Sequence, residues 1–147
     1  MYQQILLVGN LGADPEIKYL PSGTPVTTFN MATNRKYTGS DGQVVKETTW
    51  FRISVFGKSA ESSAQYLKKG SACLVEGRMT PDKATGRPRL FTRPDGTQGT
   101  NYEVFANTVR FLSSREAGVM AAQQASHDSE FTEYAQSIPE ISEDEIP

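Results

Sequence analysis

From Thr48 to Gly57 the chain reads "TTWFRISVFG". A period of two splits this stretch into two faces, the signature of a β-strand. Thr49, Phe51, Ile53 and Val55 form a face suited to a core. Trp50, Arg52, Ser54 and Phe56 form the other, with an arginine between two aromatics. Strand-like runs recur in "QQILLVG", "TPVTTFNMATN", "KETTWFRISVF", "SACLVEGRM" and "YEVFANTVRFL", with a minor one at "EIKYL" before the turn signal "PSG". "YTGSDGQV" reads as a loop.

One helix is predicted, over "GKSAESSAQYLKKG". Ala60, Ala64 and Leu67 share a face at i, i+4 and i+7. Lys68 and Lys69 fall in the predicted last turn, where cations suit the helix dipole, and Gly70 serves as the stop. The order is three main strands, a helix and two strands. It predicts an all-β domain, a five-stranded Greek-key OB-fold barrel with one helix between strands 3 and 4. Strand order alone does not fix pairing, so other small barrels stay open at this point. Thr80–Thr100 is glycine- and proline-rich and too long for a passive connection, so it reads as a hairpin arm or mobile loop.

The pattern fades after residue 115. Hydrophobic residues make up 37% of the chain and mean hydropathy is −0.49. That is too little apolar surface to fold the whole length. The expected organisation is a domain over 1–115, a disordered linker over 116–141 and an acidic tip over 142–147, with "VMAAQQA" the place where a short helix could form. The net charge of −2 hides an asymmetry. Residues 1–115 hold all 15 Lys and Arg against nine acids, a net +6, and the remainder carries eight acids and no Lys or Arg, a net −8. A basic body with an acidic tail is one form that nucleic-acid binders take.

No apolar run reaches the ~20 residues of a membrane helix, and the N-terminus lacks a basic leader. A soluble, non-secreted, cytoplasmic protein is expected. The single cysteine, Cys73, rules out an intrachain disulfide framework and reads as a small buried hydrophobe. The only histidine, His127, lies in the expected linker, which excludes a Ser–His or Cys–His arrangement in the body. "GNLG" lacks the spacing of a phosphate loop. No catalytic residue, metal site or cofactor is expected.

Arg52 is the informative residue. Buried without a partner it would be very costly, so its face opens to something. Aromatic rings stack on any nucleobase, and a guanidinium pairs with phosphate. The alternative is a half-buried strand whose aromatics pack under a loop. Cations beside aromatics recur, however, in "NRKY" with Arg35 and Tyr37, at Lys58 after Phe56, and along the arm with Lys83, Arg87, Arg89, Phe91 and Arg93. The set favours a single-stranded nucleic-acid platform over a protein adaptor or a metal-dependent nuclease. RNA is the nearest alternative ligand.

"ILLVGNLGADPEIKYLPSG", "FNMATN", "WFRISVFGKSAESSAQYLKKG" and "LVEGRM" together resemble the bacterial single-stranded DNA-binding protein family over about residues 2 to 112. The resemblance implies sequence-independent binding and protection of single-stranded DNA in replication, recombination and repair, by a nucleoid-associated homotetramer. It implies stacking on Tyr37, Trp50, Phe56 and, on the arm, Phe91. Arg52, Lys58 and Lys69 match basic positions of the family, and Arg35, Lys83, Arg87 and Arg89 join them as expected phosphate contacts. The family's acidic tip ends in Ile-Pro-Phe and docks replication and repair proteins. Asp144, Glu145, Ile146 and Pro147 match it up to the phenylalanine.

Overall fold

The computed structural model describes residues 1–112, and beyond them 119, 122–124 and 126–128. Nine elements follow in order: β1 (Ile5–Leu11), β2 (Glu16–Tyr19), β3 (Pro25–Thr38), β4 (Val44–Phe56), α1 (Lys58–Tyr66), β5 (Ala72–Met79), β6 (Leu90–Thr92), β7 (Gln98–Thr100) and β8 (Tyr102–Leu112). The main sheet runs β1-β5-β8-β4-β3-β2. Pairing of Asn10 and Leu11 with Ala32 and Met31 closes β1 onto β3. The result is a closed five-stranded barrel of β1, β3, β4, β8 and β5, in which only β4 and β8 run parallel. The helix follows the third barrel strand, as expected from the sequence.

Alternation dictates the core. Phe29, Met31, Ile53, Val55, Cys73, Val75, Val104 and Ala106 come from the inward rows of four strands and are buried together. Ile53 pairs with Phe29 on one side and Val104 on the other, so β4 lies at the centre of the packing. Cys73 is buried beside Met31, its Sγ 3.5 Å from Sδ. Burial favours the neutral thiol and pushes its pKa from 9.0 to about 12. The native protein is therefore expected to leave an aromatic disulfide reagent unreacted at pH 8 and to consume one equivalent in denaturant. Full reaction of the folded protein within minutes would contradict this burial.

Three local readings are corrected. The loop expected at "YTGSDGQV" is shorter, because β3 continues through Thr38 and β4 begins at Val44. Gly39 N–H donates to Gln43 O at 2.8 Å and closes the turn so tightly that Tyr37 and Val45 still pair. The helix ends at Tyr66, before the two lysines, and Leu67 is already extended. Tertiary contacts win over the dipole there: Lys68 N–H donates to Ser71 Oγ and Lys69 N–H to Asp14 Oδ1. The helix buries Ala60 and Ser63, with Leu67 buried just beyond its end, while Ala64 is only half-buried. The arm contains a small hairpin, β6 with β7.

Beyond the barrel, the seven described residues of the expected linker are all helical. Residues 113–115 and the tip at 142–147 lie outside the described residues. Among the described residues, no helix is long and apolar enough to cross a membrane.

Candidate nucleic-acid interface

The outer row of β4 forms the centre of the site. Trp50 is 53% exposed and Phe56 39%, and Arg52 between them is also exposed. The rings are therefore not sealed in the interior. Trp50 leans on the β1–β2 connection at Gly12, where a Cβ would lie 2.6 Å from its Cζ3. A bare backbone at that position lets the indole lie close against the connection while more than half of the residue stays exposed. Small and polar residues flank the row on β3: Ala32 opposite Trp50, Asn30 opposite Arg52, Thr28 opposite Ser54. They leave the rings standing above the sheet. Residues two apart on one face are roughly 6.5–7 Å apart, so the row can hold extended, unstacked planar groups.

Lys58 opens α1 two residues after Phe56, past the N-cap Gly57. A cation in a first helical turn opposes the dipole, so its position is not explained by helix stability. Lys69 lies at the other end of α1, its backbone held by Asp14. On the arm, the Asp82 carboxylate accepts from Ala84 and Thr85 N–H and shapes a turn that carries Lys83 and leads into Arg87 and Arg89. Phe91 is 40% exposed on the hairpin, with the Arg93 guanidinium 5.4 Å from its ring centroid. Arg93 is anchored by donating to Gln98 O at 2.7 Å. At the hairpin tip, the Thr97 hydroxyl and N–H bond the Asp95 carboxylate and hold its pKa below the usual range.

Tyr37 and Arg35 do not share the face of Trp50. The register of β3 with β4 is unbroken from Val26 to Thr38. Tyr37 therefore falls in the row of Thr33 and Arg35, opposite to the row of Trp50. Arg35 stacks over Tyr37 at 5.0 Å, and its Nε lies 3.5 Å from Asp128 Oδ2. Arg35, Thr33 and Glu47 line a cleft of about 750 Å³ with Leu6, Asn10 and Gln124. The β3–β4 ribbon thus offers one aromatic on each side.

Two residues with the right chemistry escaped the reading of the sequence. Phe105 on β8 stacks with Phe56, centroids 5.2 Å apart and planes 22° apart. Arg78 on β5 lies 5.1 Å over the Phe105 ring. The signal was present: in "YEVFAN" Phe105 alternates with the core residues Val104 and Ala106, as Trp50 alternates with Phe51. The arrangement as a whole can stack planar rings and pair anions. Among the described residues, no group of three metal-ligating side chains is gathered.

The model of the single-strand binding protein family matches residues 2–112. A single-stranded DNA-binding protein of Neisseria meningitidis is 38% identical over 112 residues, 76% of this chain and 60% of that protein. The chain thus spans less than two thirds of the length of this relative. One of Thermotoga maritima is 38% identical over 146 residues, 99% of this chain and 97% of that protein. In structure, the chain is similar to a deletion mutant of the single-stranded DNA binding protein from Thermus aquaticus. The TM-score is 0.61 at 26% identity, covering 78% of this chain and 52% of that one.

Proposed function

The chain belongs to the single-strand binding protein family, and we propose that it binds and protects single-stranded DNA with little regard to sequence. The supporting observation is the exposed row Trp50, Arg52 and Phe56 on a sheet face of small polar neighbours. Bases stack on Trp50 and Phe56, and on Phe91 and Tyr37 from the arm and the ribbon. Phosphates run past Arg35, Arg52, Lys58, Lys69, Lys83, Arg87 and Arg89. Stacking needs only a π face, so every base serves, and phosphate neutralisation makes affinity fall with salt. The protein is a binder and not an enzyme. It acts in the cytoplasm, on nucleoid DNA opened for replication, recombination or repair.

Assembly into a homotetramer is part of this reading. Ile5 to Gly9 pair with β5 on one edge, whereas β3 takes only Asn10 and Leu11 on the other. Leu6 beside that edge is exposed. An edge with no strand partner among the described residues, beside an apolar side chain, suits pairing with a second copy. The tip residues Asp144, Glu145, Ile146 and Pro147 are assigned to docking of replication and repair proteins.

Trp50 is the sole tryptophan, so intrinsic fluorescence reports on one site. Adding oligothymidylate is expected to quench it strongly and saturably, and added salt to reverse the quench. Absence of quenching, together with unchanged anisotropy of a labelled oligomer, would sink the proposal. Competition between matched DNA and RNA oligomers decides between the two ligands.

A further inference from the structure

The outer face does not stop at β4. Ser54 pairs with Phe105 of β8, and Phe105 pairs with Arg78 of β5. All three point outward, since their neighbours Val55, Val104 and Ala106 are in the core, Met79 packs against it and Gly77 is buried. Phe56 stacks on Phe105, and Arg78 covers Phe105. An aromatic and cationic rail therefore crosses the barrel at right angles to the Trp50–Phe56 row.

A bulge aligns this rail. Glu76 pairs with Thr108 but Gly77 with Ala106, so Asn107 is the extra residue in β8. Bulges re-aim the side chains that follow them. A side chain at position 77 would run into the carbonyl oxygen of Phe105, so only glycine lets β5 and β8 approach there. Arg78 is exposed, and among the described residues its guanidinium has no carboxylate partner. Its neighbour Glu76 is taken up by Gln4, whose Nε2 donates to it at 2.7 Å. A guanidinium held over an aromatic face by cation–π attraction still has N–H groups to offer an anion.

We propose that Arg78, seated on Phe105, is a further phosphate-binding position, and that a single strand leaving Phe56 crosses β8 onto β5. This rests on the reading of the chain as a single-strand binder. Phe105 is the positioning residue: it holds the guanidinium over its ring and supports Phe56 from one side.

The test compares oligothymidylates of about 5 and about 15 nucleotides, the two ends of the range one barrel covers. With the longer one, Arg78→Ala is expected to bind about tenfold more weakly. Its log–log salt slope should be shallower by roughly 0.7, one phosphate's worth for a single strand. With the shorter one, held by the Trp50–Phe56 row, affinity should match the unmodified protein. Arg78→Lys should keep the salt slope. Phe105→Leu should weaken binding of the longer oligomer while the barrel's unfolding midpoint stays within the range of a surface change. An unchanged slope for Arg78→Ala on the longer oligomer overturns the proposal, and so does an equal loss at both lengths. If the unmodified protein binds neither oligomer, the single-strand reading fails instead.

Discussion

Replacing Trp50 with Ala is expected to weaken oligothymidylate binding by about 1–3 kcal/mol, a magnitude that alanine substitution has given for single-strand binders, this family included. That is roughly a five- to 150-fold rise in Kd. Anisotropy of a labelled oligomer is the measurement, since the variant has no tryptophan of its own. Trp50 is more than half exposed, stands on Gly12 and is not one of the core residues, so the unfolding midpoint should barely move. Trp50→Phe should recover part of the affinity, because a smaller ring still stacks. Full affinity in Trp50→Ala would mean that the row of β4 is not where bases lie.

Ile53→Ala, three residues further along the same strand, is expected to do the reverse. Ile53 is fully buried between Phe29 and Val104. Truncating it removes apolar contact and leaves a cavity that a closed barrel cannot collapse, at a cost of about 2–5 kcal/mol. Urea unfolding at one fixed protein concentration should show a lower midpoint with an unchanged m value. The fraction that stays folded should bind oligomer as before. A midpoint equal to that of the unmodified protein would contradict the packing described for β4. The two substitutions separate the faces of one strand: one costs affinity, the other stability.

That separation was legible in the ten residues "TTWFRISVFG" because a strand's period of two is a local property. The extended ribbon was less legible. Gly39 and Gly42 look like a long loop, yet β3 and β4 stay paired up to Thr38 and Val44, since the turn itself needs only the residues between them. The end of the helix was misplaced for a different reason. Lys68 and Lys69 suit a C-terminal turn by charge, but Asp14 and Ser71, one of them 55 positions away, hold their backbone elsewhere. Propensity is a weak prior against such contacts.

Tyr37 and Phe105 show the same limit from two sides. The family resemblance makes Tyr37 a partner of Trp50 in stacking, and an unbroken register puts it on the opposite face of the ribbon. Phe105 looked like one more strand residue until the parallel pairing of β4 and β8 set it against Phe56.

By itself, then, the sequence determined which residues turn inward and which outward along β4, that one helix follows the third main strand, and the family to which the chain belongs. These follow from neighbours in the chain and need no partner strand. Only the tertiary structure decided which outward rows lie side by side. Closure of β1 onto β3, the pairing of β8 with β4, and the bulge opposite Gly77 are choices between segments far apart in the chain. Burying the inward rows in one core selects among them, and the aromatic and cationic rail on the outside is the consequence.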